Sequence, residues 1–164
     1  MTNFAQAQIA AANCHGLLSI DGVLLSRDCM AVLNVIDLWK PPPTRGTNED
    51  IPFRAGTLAL PRITHEAKHN LHLLVVGTCD LTGAPNPDPY VGLEENMEWL
   101  SDNIFALRTT AEAEVLMPSG NIKSGPVQVE CDTLEWGVEI GIAITATFDI
   151  TIPAGYLATT VAGS

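Results

Sequence analysis

Residues 138–153 read VEIGIAITATFDITIP. The even positions are Ile140, Ile142, Ile144, Ala146, Phe148, Ile150 and Ile152, and the odd ones are Glu139, Gly141, Ala143, Thr145, Thr147, Asp149 and Thr151. A helix would scatter those isoleucines around its axis, whereas a strand sets them all on one side and leaves small and hydroxylated residues on the other. At ~3.3 Å per residue an unbroken strand of this length reaches about 50 Å, far beyond the usual five or six residues. The stretch therefore predicts one long β-element with a dry face and a wet face.

The whole chain of 164 residues has the size of one domain, and its 46% hydrophobic and 16% charged content suits a globular fold. Nineteen acidic against eight basic residues leave a formal charge of −11. That balance excludes a surface that grips nucleic acid, which needs Lys and Arg against phosphate. It suits a surface past which DNA slides without sticking. Cys14, Cys29, Cys79 and Cys131 form no CxxC pair, and are expected to be reduced and mostly buried, with disulfides as the lesser alternative. Met1–Gly16 lacks the basic and apolar regions of a secretory signal, and no run approaches ~20 apolar residues. The expectation is a soluble protein made in a cytoplasm, with no membrane partner.

Residues 1–16 are rich in Ala, Gln and Asn and suit a short helix or an arm that docks elsewhere. In LLSIDGVLL, Asp21-Gly22 between apolar runs predicts a type I′ hairpin over Leu17–Leu25. Ala31–Trp39 is expected as a further strand. Pro41, Pro42 and Pro43 then end any ladder, and residues 41–60 form a long loop, either a plain surface insertion or a loop for binding or assembly. Strand character returns from Pro61 to Thr78, with Leu71, Leu73 and Val75 alternating against His72, Leu74 and Val76. Asp88 before Pro89 is an N-cap followed by a favoured first helical residue, and a helix over about 89–104 carries the stripe Leu93, Met97, Leu100 and Ile104. Ala113, Val115 and Met117 alternate with Glu112 and Glu114, PSGN turns, and Val127–Trp136 gives a strand ending at Gly137. The tail 154–164 suits an arm. The predicted class is α+β, mainly β, with one flanking α-helix.

His65–His69 spells HEAKH, and His72 follows. In a zinc hydrolase two such histidines, one helical turn apart, hold the metal while the glutamate activates water. Pro61, Ile63 and Thr64 favour extension here, and on a strand His65 and His69 would stand about 13 Å apart. Surface or cross-strand roles are therefore preferred over a zinc site at His65, Glu66 and His69. No GxSxG, GxxxxGK[ST] or GxGxxG is present. The acidic groups Glu94, Glu95 and Glu98, and Glu130 with Asp132, suit solvated faces. The chain is expected to be non-enzymatic, with no cofactor.

Six segments in this order, SIDGVLLS (19–26), RGTNEDIPFRAG (45–56), LHLLVVGTCD (71–80), GAPNPDPYVGLEENMEWL (83–100), LMPSGNIKSGPVQVE (116–130) and FDITIPAG (148–155), resemble the tail proteins of long-tailed bacteriophages. The resemblance is to the small tail tube and distal-tail-like family of actinobacterial phages. It implies a β-sandwich or barrel-like domain over 17–153, with arms at 1–16 and 154–164. It also implies stacked hexameric rings that form a conduit for the genome in the virion tail, assembled in the host cytoplasm. A distal tail adaptor ring is the alternative. The implied partners are further copies of the chain, the tape measure, terminator and distal tail proteins, and passing DNA without specific binding. Gln128, Glu130, Asp132, Glu139, Thr145, Thr147 and Asp149 become candidate lumen residues. Arg45, Gly46, Asn48, Glu49, Asp50 and Phe53 become the candidate ring-stacking loop.

Overall fold

In the computed structural model, which describes residues 4–41, 44–45, 49–50, 57–58, 63–106, 110–138 and 143–160, the stretch 138–153 is not one strand. Val138 ends a strand that begins at Ile122, and Ala143–Ile152 runs back antiparallel to it with Val138 opposite Ile144. Two-residue alternation survives such a reversal, because both arms of a hairpin can keep their apolar residues on one side.

In chain order the elements are α1 (Phe4–Asn13), β1 (Leu17–Ile20), β2 (Val23–Leu24), β3 (Met30–Val32), a 3-10 turn (Val35–Trp39), β4 (Thr44–Arg45), β5 (Glu49–Asp50), β6 (Thr57–Leu58), β7 (Ile63–Thr64), β8 (Ala67–Val76), α2 (Pro89–Asn103), β9 (Ala111–Leu116), β10 (Ile122–Val138), β11 (Ala143–Ile152) and β12 (Ala158–Thr160). The main sheet has the order β2-β1-β9-β10-β11-β8-β3, with β12 also on β10. All its ladders are antiparallel. β4 pairs with β7 and β5 with β6, apart from that sheet.

β10 makes the sheet curl. Ile122–Val127 pairs with β9, whereas Gln128–Glu130 and Glu135–Val138 pair with β11. Between Glu130 and Glu135 the register slips, leaving four residues opposite Phe148 alone, and such irregularities bend a strand. The two halves of the sheet then face each other. Leu18, Ile20, Ala113 and Val115 from one half share a core with Leu71, Leu73, Phe148 and Ile150 from the other. Leu100, Ile104 and Phe105 complete it, with Phe105 edge-on to Phe148 and Trp136 at centroid distances of 5.1 and 6.0 Å. The even positions of β11 thus face inward as expected.

The first hairpin forms as its sequence predicts: Asp21 and Gly22 both adopt positive φ, 54° and 79°, and Ser19 and Ile20 pair with Leu24 and Val23. β9 alternates buried and exposed residues along its whole length. Asp88 caps α2, its Oδ1 accepting from the N–H groups of Tyr90 and Val91.

Several expectations change. Among the described residues there are two α-helices instead of one: the N-terminal stretch takes the helical alternative, and α1 buries Ile9 and Ala12 in a second cluster with Ala31, Leu74, Val76 and Ala143. The buried residues of α2 are Gly92, Asn96 and Leu100, with Ile104 buried just past its end; of the expected stripe Leu100 and Ile104 enter the core, while Leu93 and Met97 are half-buried at its side. Gly92 lies so close to Gly77 that a Cβ on either would strike the other segment's backbone. Asn96 Nδ2 donates to the carbonyls of Val76 and Cys79 at 2.8 and 3.3 Å. Ala31–Trp39 is a strand only to Val32. Beyond it Asn34 substitutes a side chain for the ladder, donating from Nδ2 to Asn70 O at 2.7 Å and accepting the His72 N–H at Oδ1, 2.9 Å away. An asparagine that bonds backbone with its side chain frees its own backbone to turn. Cys29 and Cys79 are joined in a disulfide, not reduced, because β3 and the segment after β8 bring their Cα atoms to 5.9 Å. In the tail, β12 adds to β10 and Leu157 enters the core.

Candidate functional site

The outward side of β10, β11 and β8 is where the candidate lumen residues meet. Glu130 stands opposite Asp149 across the β10–β11 ladder, and Thr147 lies beside Glu135 and His72. The cross-strand bonds are specific. Asn70 Nδ2 donates to Asp149 Oδ1 at 2.8 Å, and the Thr151 hydroxyl donates to Glu130 Oε1 at 3.0 Å. Asp132 projects from the slipped segment and is exposed, as is Gln128, while Glu130, Thr147 and Asp149 are half-buried. Thr145 is buried at the end of the face where its neighbour Leu74 packs under α1, so it is not part of an open wall. Glu139 lies outside the described residues.

Of the candidate stacking loop, Arg45 belongs to β4 and Glu49 and Asp50 to β5. Thr44 and Arg45 oppose Thr64 and Ile63, and Glu49 and Asp50 oppose Leu58 and Thr57. The excursion is therefore tied across its base and again further out. Gly46, Asn48 and Phe53 lie outside the described residues.

The HEAKH segment is extended. His65 and Glu66 precede β8, and His69 and His72 lie within it, so the helical spacing needed for two histidines on one metal is not formed. Among the described residues no three His, Cys, Asp or Glu side chains gather as a metal set. His69 is half-buried in a cleft with Asp37, Lys40 and Lys68. Burial foremost, then the Lys40 ammonium, holds its pKa below the ordinary 6.5, while Asp37 pulls the other way.

Sequence reasoning missed the free-edge chemistry of β8. β3 covers only its Leu73–Val75 portion, and Asn34 covers Asn70 and His72. The available signal was a polar residue inside AVLNVIDLW. No described helix is long and apolar enough to cross a membrane.

No family model and no curated protein matches the chain. Among solved structures, the chain is similar to Dit (gp 19.1) of phage SPP1, described as a paradigm of the hub adsorption apparatus in phages that infect Gram-positive bacteria. The TM-score is 0.55 at 13% sequence identity, over 85% of this chain and 50% of that one. The mainly β architecture is thus one also used by a phage tail hub protein, and this chain spans half that protein's length.

Proposed function

We propose that this chain is a structural, non-enzymatic subunit of a bacteriophage tail, acting by assembly with copies of itself and with other tail proteins in the virion. The observation that carries this reading is the fold shared with the SPP1 hub protein along most of the chain. The curled sheet supports it physically, because its short outer strands leave ladder groups for a neighbouring copy to pair.

Two finer readings follow. In the first the chain is a tail tube subunit forming stacked hexameric rings. Gln128, Glu130, Asp132, Thr147 and Asp149 then contribute an acidic lumen that repels DNA phosphates, and the loop 41–60 reaches the next ring. In the second it is a distal adaptor, one ring joining the tube to the tip, which the hub identity of the structural neighbour favours. Negative-stain electron microscopy of concentrated protein separates them. Long hollow tubes are expected of the first and isolated rings of the second. Monomers at every concentration would overturn both.

A further inference from the structure

The chain contains three lysines, Lys40, Lys68 and Lys123, and the fold collects all three around two adjoining clefts that share Lys40 and Pro41. The larger cleft, about 440 Å³, lies between Trp39, Lys123 and Tyr156. Lys123 Nζ stands 5.5 Å from the Trp39 ring centroid. The smaller, about 360 Å³, follows the start of β8 past Lys68, His69 and His72. Asp37 makes a 3.6 Å ion pair with Lys40; among the described residues Lys68 and Lys123 have no such partner. Apolar surface adjoins this charge: Ile36 and Tyr156 are more than half exposed and Trp39 is 37% exposed. In a protein of formal charge −11, a basic, aromatic-edged hollow is a surface of opposite sign.

Its complement is on the same molecule. α2 contains no basic residue, and Val91, Glu94, Glu95, Glu98 and Asp102 are exposed. At spacings of three and four they form one stripe, with Tyr90 exposed beside it. The stripe thus offers carboxylates with apolar groups at one end, matching ammonium groups with apolar groups in the clefts. The two surfaces cannot meet within one copy. Asn96 fixes α2 to Val76 and Cys79 at the end of β8, whereas Lys68 lies near its beginning, roughly 25 Å away along the strand.

We infer that the lysine-lined clefts of one copy receive the acidic outer face of α2 from a second copy, joining subunits head to tail. The inference rests on the self-assembly proposed above and names the contact through which it occurs. A contact between two different surfaces is heterologous, and repeats until it closes a ring or extends a filament. It also answers a problem of charge, since two copies of this acidic chain repel unless their opposite patches face each other. Exposed ion pairs are individually weak, so the apolar rim and several pairs act together.

The test uses the full chain in three forms: wild type, a clefts variant with Lys40→Glu and Lys68→Glu, and a helix variant with Glu94→Lys and Glu98→Lys. All four altered positions carry exposed side chains, and unchanged thermal unfolding verifies the folds. In sedimentation velocity the wild type is expected to assemble and to weaken as salt rises. Each variant alone is expected to lose at least ~tenfold in association. Mixed in equal amounts, the variants are expected to recover assembly, since the intact clefts of one meet the intact helix face of the other and the two reversed surfaces are again of opposite sign. Variants that assemble like the wild type, or a mixture that stays monomeric, overturn the contact while wild-type rings leave the tail reading standing. Normal assembly of the clefts variant with lost binding to polyglutamate would assign the clefts to another acidic partner, against a second copy. A wild type that stays monomeric at every concentration removes the tail reading and the contact together.

Discussion

At one end of β8 and β11 the outward residues Leu74, Val76, Ala143 and Thr145 are buried, the first three packed with Ile9 and Ala12 of α1. At the other end, on the same side of the same strands, Lys68, Asn70 and His72 are exposed, and Thr147 and Asp149 are half-buried. Strand alternation accounts for which residues share the side. It does not account for the difference between the ends, which depends on where a helix from elsewhere in the chain comes to lie. Even burial has two forms here. Thr151 is buried at the wet end, with its hydroxyl on Glu130, whereas the dry end is closed by apolar packing.

The largest break in that contrast comes from the disulfide. Cys29 and Cys79 belong to the dry cluster and close a loop of separation 50. Replacing both by alanine is expected to cost about 4 kcal/mol, measured by urea unfolding, with reduction of the wild type giving a similar loss. A smaller and sharper comparison sets Leu74→Ala against His72→Ala, two neighbours on one face. The buried leucine should cost about 3 kcal/mol and the exposed histidine under ~0.5 kcal/mol. Equal losses would mean that α1 does not cover that end in solution.

The smallest effect is a pH dependence at the wet end. His69 has a folded pKa below 6.5, so between the two values the unfolded chain binds more protons than the folded one. Stability is therefore complete above 6.5 and falls as pH is lowered through that interval. His69→Gln should flatten this part of the pH profile of unfolding, and a profile unchanged by the substitution would count against burial as the cause.

The parts of the fold legible in the sequence are those with local causes. Asp21-Gly22 specifies its turn through backbone conformation, Asp88 caps α2 with its own carboxylate, and β9 alternates along its whole length. What stayed hidden depends on distant partners. The reversal between Val138 and Ala143 leaves the phase of alternation intact; a glycine at 141 was the mark within the run, while Gly137 lies in the ladder opposite Thr145. The inward face of α2 uses Gly92 and Asn96, a small residue and a hydrogen-bonding one, which a search for apolar stripes passes over. The disulfide and the meeting of Lys40, Lys68 and Lys123 follow from the fold, and nothing in their spacing announces either. Of the candidate lumen residues, Glu130, Thr147 and Asp149 do converge, because β10 and β11 pair in the expected neighbourhood, while Thr145 shares their side but is buried.

The pairing of β1 with β9 also sets a schedule for the growing chain. Leu17 meets Leu116, which is synthesised about a hundred residues later, and contacts so distant in sequence are slow to form. The N-terminal hairpin therefore leaves the ribosome with one flank of β1 unmatched. It keeps that flank until β9 is made, and this is the interval in which a nascent copy is most open to pairing with the wrong strand.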